Sequence, residues 1–246
     1  MQKLLKSIFS SGLVILSTVF LCGWGDDTEV KMLTERLQKT LNNQNRSEFS
    51  KLFSKEIAKE FEEKYNDFRN SVVNSKWVIK PSKQLKDQRQ SIAITVTGNK
   101  EVGDHKYSLV SKQTYAIKTH NGQIIEQEML SDYSILNSNI DRLNLTVAIP
   151  DRVLTGSNYD IDLILETPLE ERIIAGGLIA INKDQRNLDV FDIELKPIES
   201  GGLFKSVRAP MKPGEQSWAA LIAHPEGLVT VTKTVKVVSS SNELTP

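Results

Sequence analysis

Two periods divide the chain. Between residues 28 and 75 apolar side chains recur every three or four positions, and from Trp77 onward they recur mostly every second position. These are the spacings of a helix face and a strand face. Val30, Leu33, Leu37 and Leu41 form a first helical stripe, closed by Asn42-Asn43. Asn45 stands three residues before Glu48, the spacing of a capping box, ahead of a short helix carrying Phe49, Leu52 and Phe53. Ser54 is placed to cap a longer helix reaching to about Ser75, with the stripe Ile57, Phe61, Tyr65, Phe68 and Val72.

The strand period then takes over. Trp77 and Ile79 alternate up to Pro81; Ile92, Ile94 and Val96 follow; residues 98–104 read as a turn. Tyr107, Leu109, Ser111, Gln113, Tyr115 and Ile117 share one face of the next strand, and Asn121-Gly122 is a two-residue hairpin signal leading into a strand to about Leu136. Helices followed by a four-stranded meander predict an α+β domain whose curved antiparallel sheet buries the long helix. Over residues 28–137 this order resembles the nuclear-transport-factor-2-like, or cystatin-like, roll. The resemblance rests on element order and implies a cone between sheet and helix that holds core, a small ligand or an active site. Trp77, Tyr107 and Tyr115 are the pocket candidates, with Tyr133 beside them. A pocket for a drug-sized ligand needs roughly 300 Å³ or more. Asp132 and Tyr133 are neighbours on a strand and point to opposite faces, so they cannot share one pocket.

Asn137-Ser138-Asn139 reads as a polar linker, and strand patterns alone follow it. They cover Leu143 to Ile149, Tyr159 to Leu165, an apolar run over 173–181 expected to be buried on both faces, Leu188 to Leu195 with a bulge near Val190, Leu203 to Val207, Trp218 to His224, and Val229 to Val237. Short strands separated by Pro and Gly turns predict an all-β sandwich. Pro213-Gly214 ahead of Trp218 resembles the turn before the penultimate strand of immunoglobulin-like domains, although the tyrosine and cysteine pair usual there are absent. The expected plan is a leader over 1–25, the α+β roll over 28–137, an immunoglobulin-like β-sandwich over 139–239 and a disordered tail over 240–246.

The leader sets the compartment. Lys3 and Lys6 precede an uncharged stretch over 7–25 with an apolar core from Ile8 to Leu21, and Asp26-Asp27 follows at once. Positive charge before an apolar run and negative charge after it direct the remainder across a membrane. The expected location is the periplasmic side of a bacterial membrane, soluble or held by the N-terminal segment. Cys22, the one cysteine, ends the apolar run. Its place resembles the lipid-attachment cysteine of bacterial lipoproteins, with Val19 suited to the third position before it and Leu21 standing where that pattern has a small residue. Cleavage after Gly23 or Gly25, or retention as an anchor, are the other readings.

Composition narrows the chemistry. Lys+Arg and Asp+Glu both number 31, so no net field draws nucleic acid. One cysteine allows neither an intramolecular disulfide nor a cysteine zinc site. His105, His120 and His224 stand apart, each in or beside a turn, without metal-ligand spacing. No Gly-x-Ser-x-Gly elbow is present, and Gly176-Gly177 and Gly201-Gly202 read as a close sheet contact and a loop. Asp160 and Asp162 share a strand face with Asp184, Asp189 and Asp192 further along, a pattern more typical of a solvated face than of a calcium loop. The sequence thus implies no cofactor, no metal and no catalytic residue. It points to a non-enzymatic, exported, membrane-associated binding or scaffold protein of the bacterial envelope with a protein partner. The alternative is a small-ligand carrier or enzyme using the cone.

Overall fold

The computed structural model describes residues 27–43, 46–72, 74–139, 143–166, 174–181, 192–198 and 201–245. Cys22 and the rest of the leader lie outside them, as do Asn45, Asp184 and Asp189. Among the described residues no helix is long and apolar enough to cross a membrane. The chain is mostly strand, with a few helices near its N-terminal end and a large, mainly antiparallel sheet. Its described residues fall into two compact units. Unit 1 holds those up to Gly98 together with Ser111–Ser131; unit 2 holds Asn99–Val110 and those from Asp132 onward.

In unit 1, α1 (Asp27–Asn43) buries Val30, Leu33, Leu37 and Leu41, the stripe its sequence spells out. A single 3₁₀ turn (Arg46–Glu48) leads to the four-residue α2 (Phe49–Leu52), and α3 (Lys55–Ser71) follows. Ser54 occupies the N-cap position of α3, but its side chain makes no cap bond. Its backbone N–H instead donates to the Ile124 carbonyl at 2.9 Å, tying the helix start to the sheet. The helix stops four residues short of the expected Ser75. Val72 turns to φ −128° while its N–H still bonds Phe68, and Asn74 already opens a strand. The β-branched pair Val72-Val73 favours that exit.

Strands β1 (Asn74–Pro81), β2 (Gln90–Val102), β3 (His105–His120) and β4 (Gln123–Ser138) are hydrogen-bonded in that order. Asn121 and Gly122 both take positive φ, 50° and 73°, as a tight β3–β4 hairpin requires. The turn expected over 98–104 is shorter, because β2 continues to Val102 and turns only at Gly103-Asp104. Gly98 serves packing instead: a Cβ there would lie 2.2 Å from the Val72 Cγ1. Residues 82–89 strap the sheet, setting Leu85 against Ala116 and Leu130 while Arg89 bonds Asp87 and Glu128 at 2.6 and 2.7 Å.

The expected boundary at Asn137-Ser138-Asn139 is not a linker. Asn137 and Ser138 pair with Val229 and Leu228, and Asn139 is held by reciprocal bonds with Lys106. Polar residues read as a linker are here the end of β4, whose last seven residues belong to unit 2.

Unit 2 adds β5 (Leu145–Ala148), β6 (Arg152–Leu154), β7 (Asn158–Leu165), β8 (Ala175–Ile181), β9 (Lys196–Pro197), β10 (Gly202–Arg208), β11 (Gly214–His224) and β12 (Gly227–Val238). The end of β4 pairs with β12, then β11, β8 and β9 follow in order; β6 runs parallel to the end of β12. A separate sheet has the order β10-β7-β5. The two sheets share one core, in which Tyr159, Ile161, Leu163 and Leu165 meet Trp218, Ala220, Ile222 and the odd-numbered valines of β12. Strand β8 is not buried on both faces, for Ala180 is exposed. Of the strand expected from Leu188 to Leu195, the bulge region lies outside the described residues, and 192–195 form none. That stretch instead crosses Gly177, where a Cβ would sit 2.2 Å from the Glu194 carbonyl oxygen. The tail is also more ordered than expected. Ser240 and Glu243 form a capping box on the 3₁₀ turn Ser241–Glu243, and Arg152 donates to the Glu243 carbonyl at 2.9 Å.

Lys233 breaks the valine pattern of β12. It lies on the core-facing parity between Val231 and Val235, opposite Trp218 on one side and Tyr133 on the other. Its side chain is 8% exposed and reaches the Asp151 carboxylate, which is 54% exposed. Removing one partner leaves a buried charge unmatched, whereas replacing the charge with an apolar side chain of similar length does not. Asp151→Ala is therefore expected to cost about 1–2 kcal/mol, less than the ~3–5 kcal/mol of a fully buried pair, and Lys233→Met to stay within about 1 kcal/mol of wild type. Urea midpoints at constant m-value read both; equal losses in the two variants would contradict the asymmetry.

Candidate functional site

Three elements bring an aromatic row together in unit 1. On α3, Phe61, Tyr65 and Phe68 stand four and three residues apart and so share one face. Phe49 and Phe53 come from α2 and its C-cap, and Trp77 from β1. Phe53 stacks on Phe61 at 4.8 Å, Phe49 meets Tyr65 edge-on at 5.3 Å, Tyr65 lies 5.8 Å from Trp77, and Trp77 meets Phe68 edge-on at 5.5 Å. Offset and edge contacts of this kind add roughly 0.5–1.5 kcal/mol each to the area they bury.

Side-chain amides of α1 fix the strand end of this row. The Trp77 N–H donates to Asn42 Oδ1 at 2.9 Å, and Asn42 Nδ2 donates back to the Trp77 carbonyl at 2.8 Å. One helical turn earlier, Gln38 Oε1 accepts from the Ile79 N–H at 2.8 Å. Two residues of strand span about 6.8 Å and four of helix about 6.0 Å, so the two spacings run in step. The outer edge of β1 is thereby satisfied by a helix rather than left as a template for another strand. The Tyr65 hydroxyl donates to the Leu41 carbonyl, one of the last carbonyls of α1.

Between this row and the sheet lies a cavity of about 70 Å³. Helical residues including Leu37, Phe61 and Phe68 line one side; Ile92, Ile94 and Val96 of β2, Ser111, Gln113 and Tyr115 of β3, and Ile124 and Gln127 of β4 line the other. Among the described residues the lining contains no Asp, Glu, His, Lys, Arg or Cys. Two of its members carry buried polar atoms without a hydrogen-bond partner, the indole Nε1 of Trp77 and the amide Nε2 of Gln127. The Tyr115 hydroxyl lies 3.5 Å from Gln113 Oε1.

Of the sequence candidates, Trp77 and Tyr115 line the cavity and Tyr107 does not. Tyr107 belongs to the part of β3 in unit 2, half-buried, 6.4 Å from the His105 ring. Its parity matches that of Tyr115, but eight strand residues separate them by roughly 27 Å. Tyr133 is likewise in unit 2, packed on that unit's core, where burial raises the pKa of its phenol. Asp132 accepts from the Thr234 N–H at 2.9 Å and serves strand pairing. His105 contacts Asn139, and His224 Nδ1 accepts from the Glu226 N–H. No group of three or more His, Cys, Asp or Glu is placed to hold a metal among the described residues. Gln127 had no signal in the sequence: Ile124 and Gln127 face one cavity across a change of parity that alternation cannot anticipate.

Residues 141–238 match the family described as a domain of unknown function, DUF8623. The match falls within unit 2 and leaves the cavity of unit 1 outside it. No curated protein matches the chain.

A buried donor without an acceptor forfeits about 1–3 kcal/mol. Gln127→Met keeps the side chain's length and removes that donor, and is expected to raise stability by roughly 0.5–1.5 kcal/mol. Gln113→Met, which removes an acceptor in use, is expected to lower it by about 1 kcal/mol. A loss at Gln127 as large as that at Gln113, read by urea unfolding, would show that the Gln127 amide has a partner after all.

Proposed function

We propose that this chain is a non-enzymatic, membrane-associated binding protein of the bacterial envelope. The observation that carries the reading is that the described residues lining the unit 1 cavity are all uncharged. Catalysis of proton transfer or of charge development needs an acid, a base or a fixed charge at the reacting atoms. Among the described residues the lining offers only hydroxyls, amides and an indole, and the Tyr65 hydroxyl is already given to a backbone carbonyl. The volume is also far below the roughly 300 Å³ of drug-sized sites, which argues against a bulky substrate.

The finer architecture belongs to the same proposal. Unit 1 reads as a nuclear-transport-factor-2-like roll, supported by the order α1, α2, α3, then β1 to β4, with the aromatic face of α3 across the cavity from the sheet. Unit 2 reads as an immunoglobulin-like sandwich, supported by two sheets around one core. Its role in this proposal is docking. Phe204 is 54% exposed on the outward parity of β10, and its ring lies over Gly202, which pairs with the half-exposed Ile164. The basic, apolar and acidic order of the first 27 residues supports export and tethering, with Cys22 as the lipid-attachment candidate.

Two outcomes are expected. A reporter active only outside the cytoplasm, fused after residue 25, gains activity, and Lys3→Glu with Lys6→Glu reduces it; activity confined to the cytoplasm would contradict export. A photocrosslinking residue at Phe204 in intact cells yields one discrete adduct that the Ile164→Asp substitution removes. Absence of any adduct from a folded, exported protein would contradict docking through this sheet.

A further inference from the structure

We infer that the open edge of β10 takes up an extended, acidic segment of a partner protein, added as a further strand to the β10-β7-β5 sheet. The inference rests on the docking role assigned to this sheet and names what docks there. It starts from the backbone. Leu165 donates its N–H to the Gly201 carbonyl and Ala209 donates to Ser157, so the odd-numbered residues of this stretch direct their backbone groups at β7. In an antiparallel pair such groups alternate between the two sides. Those of Gly202, Phe204, Ser206 and Arg208 therefore point away from β7, where the sheet order ends. Phe204, Lys205 and Ser206 are exposed in succession, so side chains of both faces reach solvent there. A strand open on one side shows this pattern.

Four strands end the two sheets among the described residues, and β10 is the one left as a template. The edge of β1 is clamped by Gln38 and Asn42. Strand β9 has two residues, and Pro197 has no N–H to offer. Strand β5 has four, and Pro150 follows two positions after its end. Strand β10 has seven and no proline. Its guard is charge. Lys205 lies on the core-facing parity with its ammonium 5.5 Å from the centre of the Trp218 ring, and Arg208 ends the strand. With two cations and no anion, β10 meets like charge in a second copy of itself. A strand with carboxylates opposite Lys205 and Arg208 meets opposite charge instead. Asp160 and Asp162 stand on β7, two strand spacings (roughly 9.6 Å) from an added strand, and weigh less. Phe204 favours a β-branched residue opposite it. The main chain would supply affinity and these side chains selectivity.

The test uses the full chain and three heptapeptides with blocked ends. EVTEVIT sets its glutamates opposite Arg208 and Lys205 in antiparallel pairing with Gly202–Arg208. KVTKVIT replaces both with lysine. The third is EVTEVIT N-methylated at its third and fifth residues, which keeps every side chain and removes the N–H groups directed at Ser206 and Phe204. Amide hydrogen exchange is read on β10. Without peptide, Phe204 and Ser206 are expected to exchange at least tenfold faster than Lys205 and Val207. EVTEVIT is expected to slow Phe204 and Ser206 at least tenfold in a saturable titration, and the other two peptides to bind at least tenfold more weakly. Equal binding of KVTKVIT would overturn the acidic preference. Equal binding of the N-methylated peptide, or binding of EVTEVIT that leaves both amides fast, would overturn strand addition while docking through the sheet stands. No binding of EVTEVIT at millimolar concentration would overturn the inference as a whole. Protection that grows with protein concentration in the absence of peptide would assign the edge to a second copy and overturn the acidic partner. The Phe204 adduct in intact cells is read separately and decides the docking role itself.

Discussion

The hydrogen bonds from Gln38 and Asn42 to the outer edge of β1 are the constraint on which unit 1 depends. An edge strand presents unpaired N–H and C=O groups that must be satisfied by something. Here a helix supplies amide side chains in step with the strand, and in doing so fixes where Trp77 stands. From Trp77 the aromatic row runs through Phe68 and Tyr65 to Phe49, Phe61 and Phe53, so the position of α3 follows from the same anchor. Tyr65 closes the circuit by bonding the last turn of α1. Without the clamp, β1 would remain free to slide along α1, and the cavity wall would lose its indole.

Buried polar groups are carried in two ways in this molecule. Several awkward groups in unit 2 are matched by specific partners. Lys233 reaches Asp151, Trp218 bonds Tyr159, and Thr234 bonds Asp132. In unit 1 the buried N–H groups of the Trp77 indole and the Gln127 amide have no hydrogen-bond partner. A protein selected for stability alone would gain by replacing them, since each forfeits on the order of 1–3 kcal/mol.

Much of this fold was legible in the sequence, for identifiable reasons. Helix stripes such as Val30, Leu33, Leu37 and Leu41, the alternation of Ile92, Ile94 and Val96, and the Asn121-Gly122 turn are local signals, and each reports local geometry. The signals failed where the answer was not local. Parity placed Tyr107 on the face of Tyr115 but could not weigh the distance along the strand. The polar run Asn137-Ser138-Asn139 resembled a linker because its partners lie some 90 residues away in β12. Asn42 read only as the end of a helical stripe and Gln38 carried no signal, since nothing in their neighbourhood shows the edge they serve. Gln127 escaped for the same reason, as did the burial of Lys233.

The most direct measurement is amide hydrogen exchange at Trp77 and Ile79, compared between the wild-type chain and Asn42→Ala. If α1 clamps the outer edge of β1, both amides are protected in the wild type, and Asn42→Ala releases Trp77 by at least tenfold while Ile79, still held by Gln38, stays slow. A Trp77 amide that exchanges at the rate of an open strand edge in the wild type, or that is untouched by the substitution, would contradict the account.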